Sequence, residues 1–224
     1  MARLPRLVIP GLPHHVTQRG NGRAQTFFEE ADYALYRDLF AEAATRAGCA
    51  VWAYCLMPNH IHAIVVPSDE DGLRRTFGDL HRRYTGYINA RARRTGHLWQ
   101  GRFGSVAMDE AHLHHALRYV SLNPVRARLA KRAEEWGWSS ARAHLAGEDD
   151  ALVTVAPALE RIDDFAAFLA DDIDEAAVYA ALRKAESIGR PIGDADWIEA
   201  LEARTGRKLA PAKRGPQART ELRG

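Results

Sequence analysis

The stretch His14-His-Val-Thr-Gln-Arg-Gly20 reads as a short strand that ends at a Gly-Asn-Gly turn. From Ala31 to Gly48, apolar side chains fall at Tyr33, Leu35, Tyr36, Leu39, Phe40 and Ala43, the spacing of an amphipathic helix with Gly48 as its C-cap. Two apolar runs, Ala50 to Leu56 and His60 to Val66, are cut by Met57-Pro58-Asn59 and predict adjacent strands joined by a tight turn. Asp71 to Arg94 predicts a second helix, basic on its exposed side, and Phe103 to Met108 a further strand. Asp109 to Asn123 predicts a third helix with Asp109 as N-cap. Pro124 should end it at about Asn123, because the residue before a proline disfavours the α region.

The order is β, α, β, β, α, β and then a helix. This points to an α+β fold: a ferredoxin-like split βαβ core, an antiparallel sheet with helices on one face, and a helical C-terminal extension. From about Gly147 the chain turns acidic, alanine-rich and helical as far as Ser187, and a tail with Gly, Pro and Arg follows. The expected division is residues 1–146 and residues 147–224, the second part a candidate DNA-binding extension whose last residues are poorly ordered. No internal repeat is visible.

Composition narrows the class. In 224 residues, 46% are apolar, enough for a core and too many for wholesale disorder. No apolar run approaches the roughly 20 residues of a membrane span. Met1 to Pro13 is broken by Pro5, Pro10 and Pro13 and does not read as a signal peptide. Cys49 and Cys55 are too few for a disulfide framework or a zinc cluster and are expected in the core. A cytoplasmic protein is expected. The net charge of +2 conceals a polarised distribution. Arg74 to Arg142 carries 14 basic and 5 acidic residues, Glu148 to Glu186 carries 3 and 11, and Ser187 to Gly224 carries 8 and 5. A basic middle beside an acidic segment suggests one surface suited to phosphates.

Two small groupings carry candidate chemistry. In His60-Ile61-His62 a strand would set both imidazoles on one face and Ile61 on the other, so the pair could hold one divalent ion. On the third helix Tyr119 and Asn123 are four apart and share a face; an amide oxygen suits Mg²⁺ or Mn²⁺, and a phenol beside a metal can be a nucleophile. Each also has a plainer reading: an incidental His pair, a core tyrosine, an asparagine closing a helix.

Together, Leu56-Met-Pro-Asn-His-Ile-His-Ala-Ile-Val65 and Leu117-Arg-Tyr-Val-Ser-Leu-Asn-Pro-Val-Arg126 resemble the single-tyrosine HUH transposases, in particular the REP-associated tyrosine transposases. The resemblance continues in His97-Leu-Trp-Gln-Gly-Arg-Phe103 and Trp136-Gly-Trp-Ser-Ser140, and spans about Gly11 to Leu145. It implies that His60, His62 and Asn123 hold Mg²⁺ or Mn²⁺ and that Tyr119 is the nucleophile. It implies cleavage and joining of single-stranded or hairpin DNA, such as REP-like palindromes, through a 5′-phosphotyrosine, by a monomer or homodimer. The alternative is a hairpin-binding protein of this fold with little or no catalysis.

His115, four residues before Tyr119, is a candidate for proton transfer. Tyr84 and Tyr87 rank below Tyr119 as nucleophiles, since neither has an amide one turn on. Candidates for DNA contact are Arg82, Arg83, Arg91, Arg94, Arg102 and Arg126, with Trp99 as a stacking platform or a core residue. Lys213-Arg-Gly-Pro216 resembles a minor-groove element.

Overall fold

The computed structural model describes residues 7–171, 179–180, 182, 185 and 189–209. Strand β1 (His14–Arg19) leads to helix α1 (Glu30–Ala47), strands β2 (Cys49–Met57) and β3 (His60–Pro67), helix α2 (Gly72–Arg91), strand β4 (Gly104–Ala107) and helix α3 (Glu110–Arg126). The sheet runs β2-β3-β1-β4 with antiparallel neighbours throughout, so β3 lies between β1 and β2 as a split βαβ unit requires. Helix α1 begins at a reciprocal pair of bonds between Glu29 and Asp32. It ends where Gly48, at φ 66°, takes the left-handed turn that a side chain would strain.

An irregularity between Val51 and Ala53 resets which side chains of β2 face which way. Val51, Tyr54 and Leu56 therefore join Val16, Ile61, Ala63 and Val65 beneath α1 and α2. Ala53, Cys55, Met57 and Ile64 face the opposite side and meet Leu113, Ala116, Leu117 and Val120 of α3. Helices on one face describes α1 and α2; α3 lies on the other. Its apolar stripe needs cover, and the first face is already filled. Both cysteines are buried and free.

Helix α3 also runs past its expected end. Pro124 sits inside it, buried. The last turn is held from beyond by Ala127 N–H to the Asn123 carbonyl (3.0 Å) and Leu129 N–H to the Pro124 carbonyl (2.9 Å). Packing and these two bonds outweigh the local preference of a residue before proline.

Beyond residue 147 the described chain shares these cores. Helices α4 (Ala141–Ala146), α5 (Ala156–Leu159), α6 (Phe165–Ala170) and α7 (Ala195–Thr205) follow. Leu152, Val153 and Val155 enter the α1–α2 side, while Phe165, Tyr179 and Leu182 pack on the α3 side. Ile192 bonds to the Ala107 carbonyl (2.9 Å) beside the end of β4, and Leu201 and Leu209 pack against Leu7 and Ile9. The Lys213–Pro216 element and the last residues lie outside the described chain.

Asp109 fastens two of these parts. One carboxylate oxygen accepts the His112 N–H (2.8 Å) and caps α3; the other accepts the Asp194 N–H (2.9 Å), and Asp194 in turn caps α7 through Trp197 N–H (2.8 Å). Asp109→Ala should therefore lower unfolding free energy by about 1–2 kcal/mol, the upper range for a lost N-cap. A urea titration checks it; an unchanged midpoint would remove Asp109 from this role.

Candidate active site

The alternation of β3 turns Ile61 into the α1–α2 core and leaves His60 and His62 on the side of α3. Their rings are 5.0 Å apart, centroid to centroid. Strand β1 pairs antiparallel with β3, Thr17 opposite His62 and His15 opposite Ile64, which puts His15 diagonal to His62 on the same face. The His15 and His62 rings stack at 5.2 Å, with His15 Nε2 and His62 Nδ1 hydrogen-bonded at 3.0 Å. Helix α3 brings the Tyr119 ring edge-on to both, 5.2 Å from His62 and 5.9 Å from His15. Tyr119 is only 6% exposed. The Arg126 guanidinium lies 4.3 Å from the Tyr119 ring and equally close to Tyr179, whose own ring is 4.8 Å from Tyr119.

Burial sets the charge state. Desolvation pushes His15 down to about 4, and desolvation with the nearby Arg19 charge does the same to His60. His62 goes well below the ordinary imidazole range through burial first, then through His60, His15 and the arginines Arg19 and Arg126. At neutral pH all three rings are therefore neutral and offer lone pairs.

The donor chemistry fits a divalent cation. His60 Nδ1 is engaged by Asn59 Oδ1 (2.6 Å) and His62 Nδ1 by His15, which directs the Nε2 atoms away from those partners. Among the described residues, neither the buried His62 Nε2 nor the buried Asn123 Nδ2, one turn beyond Tyr119, has a hydrogen-bond partner. An amide can turn to present its oxygen in the same place. Among the described residues, no three His, Cys, Asp or Glu side chains form a metal-holding group, so the donors here would be two imidazoles and an amide.

Of the residues singled out in the sequence, His60, His62 and Tyr119 converge. His115 does not join them: its ring faces His112 at 6.3 Å, and the imidazoles against Tyr119 are His15 and His62. His15 was missed, although the parity of His14-His15 on a strand next to the His-Ile-His strand carries the signal. Its neighbour His14 is structural, bonded to Ile9 N–H and the Leu12 carbonyl.

The arginines divide. Arg82 pairs with Asp79, Arg83 with Glu42, and Arg91 with Asp32 and Glu29. Arg94, Arg102 and Arg126 are exposed. Trp99 is a core residue, with its ring 4.8 Å from His81 and near Tyr84, so its face is not open to a base. Tyr84 is buried and donates its hydroxyl to the Thr26 carbonyl (2.8 Å); Tyr87 lies under Arg91.

A family model described as IS200-like transposase matches residues 9–123. Among solved structures, one of a REP-associated tyrosine transposase bound to a REP hairpin superposes with a TM-score of 0.57 at 22% identity, over 70% of this chain and 94% of that one. A candidate transposase from Deinococcus radiodurans R1 gives a TM-score of 0.38 at 19% identity over 57% of this chain and 92% of the other. No curated protein matches the sequence. No helix among the described residues is long and apolar enough to cross a membrane.

Proposed function

The chain belongs to the IS200-like transposase family, and on that premise we propose that it cuts and rejoins single-stranded DNA at hairpins of the REP type, with Tyr119 as nucleophile and a Mg²⁺ or Mn²⁺ ion at His60, His62 and Asn123. The observation that carries this reading is the buried Nε2 of His62, without a partner among the described residues, beside the ring of Tyr119. A bound ion would supply Lewis acidity to a phosphate oxygen and orient the phosphate. The side chains do the rest. The Tyr119 hydroxyl gives up its proton as its oxygen attacks phosphorus, an O–P bond forms, the bond from phosphorus to O3′ breaks, and O3′ takes up a proton to leave as a hydroxyl, so no net proton is gained or lost. One phosphodiester replaces another, so the link keeps the energy needed for rejoining when another 3′-hydroxyl attacks. Arg126, exposed and 4.3 Å from the Tyr119 ring, brings positive charge to where the phosphate must lie.

The domain boundary at 147 enters this reading as a division of labour, residues 1–146 for chemistry and the remainder for cover and DNA contact. Arg118 supports the cover: its guanidinium donates to the carbonyls of Phe168 and Asp171, tying the segment to the nucleophile helix.

The test is a denaturing gel for a covalent protein–DNA adduct on single-stranded hairpin oligonucleotides from the regions flanking the gene. With Mg²⁺ or Mn²⁺ an adduct should form; with EDTA, or in His60→Ala, it should fall by at least about a hundredfold, since loss of a mere outer-shell partner already costs up to that much. Tight hairpin binding with no adduct under either ion would favour the non-catalytic alternative.

A further inference from the structure

Part of the positive charge of this protein is compensated by its own carboxylates, above all along α2. Along α2, Arg74, Arg75, Arg82, Arg83 and Arg91 each have a carboxylate partner. Among the described residues, no carboxylate pairs with the exposed Arg19, Arg23, Arg93, Arg94 or Arg102. These five come from two chain segments that are stitched together. Asn21 N–H bonds to the Leu98 carbonyl (2.9 Å), Gln100 N–H to the Arg19 carbonyl (2.8 Å), and Gly20 bridges to Trp99.

The arc abuts the candidate active site. Arg19 is the register partner of His60, and its charge acts on that imidazole. The Arg23 carbonyl accepts from Asn59 Nδ2 (3.0 Å), and Asn59 holds His60. Phe27 N–H bonds to the Pro58 carbonyl (3.1 Å) in the same turn, and next to it stands Phe28, 48% exposed, with the Arg94 guanidinium 6.0 Å from its ring. Among the described residues Phe28 is the most exposed large hydrophobic side chain, and it stands beside arginines that no described carboxylate pairs. Two of the arginines are also held in the left-handed region, Arg23 at φ 63° and Arg93 at φ 48°. A residue other than glycine is uncommon in that region.

We propose that this arc binds the unpaired DNA strand next to the scissile phosphate, with a base stacked on Phe28 and its backbone phosphates on Arg19, Arg23, Arg93, Arg94 and Arg102. The inference rests on the reading above and adds where the single strand runs. Aromatic faces take any base by stacking, and arginines track phosphates, so the partner recognised by this chemistry is single-stranded rather than duplex DNA. It predicts that hairpin and flank are held by different surfaces, only the flank by this arc.

Fluorescence anisotropy can separate the two. The probes are one hairpin from the gene's flanking sequence, made blunt and with a short single-stranded flank, and the protein is full length. Phe28→Ala should weaken binding of the flanked hairpin by about tenfold, in the range of one lost base stack, and leave the blunt one unchanged. Phe28→Trp should restore it. Arg94→Ala should reduce the salt slope for the flanked hairpin by about 0.7, one single-strand phosphate. Equal binding by wild type and both alanine variants overturns the proposal, and so does an equal loss on blunt and flanked DNA, which would place duplex on the arc. If the wild-type protein binds neither probe, the functional reading itself falls, and this inference with it.

Discussion

Tyr119→Phe is expected to abolish the covalent adduct and lower strand cleavage by about a thousandfold or more, as loss of a nucleophile does elsewhere, while the protein stays folded. The substitution removes one oxygen from a ring whose contacts to His62, His15 and Arg126 are contacts of the ring itself. Those contacts survive, so unfolding free energy should change by less than about 1 kcal/mol. Hairpin affinity should stay within a few-fold of wild type, because on the proposed reading Arg126 would still be in place to meet the phosphate. Adduct yield on a denaturing gel, with a thermal melt on the same sample, checks both halves. A variant that still forms the adduct would move the nucleophile to another residue. One that loses the adduct only by unfolding would show nothing about chemistry.

Arg91→Ala should have the largest effect on stability. Arg91 was a candidate for DNA contact, but its guanidinium reaches Asp32 at 2.5 and 2.7 Å and also bonds Glu29. Asp32 is fully buried and accepts besides from the backbone of Phe28 (2.8 Å) and Glu29 (3.3 Å) at the start of α1. Removing the guanidinium leaves a buried carboxylate with two amide bonds and no counter-charge, a loss of about 2–4 kcal/mol. Adding Asp32→Asn should recover part of it, since contacting residues are not additive. Urea unfolding of the two single variants and the double one measures the coupling. Once corrected for the folded fraction, DNA affinity of Arg91→Ala should match wild type. A stable Arg91→Ala that binds DNA tenfold more weakly would return Arg91 to the DNA surface.

The elements were legible where one local signal governs them. Periodicity at Tyr33 to Ala43 gave α1, Gly48 closed it, and the His60-Ile61-His62 alternation set the two imidazoles on one face. Three readings needed information that is not local. The end of α3 is decided by burial of Pro124 and by bonds from Ala127 and Leu129. The face taken by α3 depends on the space that α1 and α2 already fill. The roles of the arginines depend on partners distant in the chain: Arg83 meets Glu42, and Arg91 meets Asp32. Counting charges along the sequence could locate a basic stretch but not reveal which part of it was already neutralised. His15 shows the same limit from the other side, since its place beside His62 follows only from the pairing of β1 with β3.

The double service of Asp109 has a consequence for how the C-terminal segment can be removed. The carboxylate that starts α3 also receives Asp194, and the strand-like contact of Ile192 with Ala107 and Asp109 lies beside it. The seat of α7 and the first turn of α3 thus form one cooperative unit of opening. In native-state hydrogen exchange, the amides of His112 and Asp194 should exchange with matched free energies and respond together to Asp109→Ala. A truncation before Ile192 would then release more than a cover. It would loosen the scaffold that positions Tyr119, and any gain in access would be offset by a less fixed phenol ring.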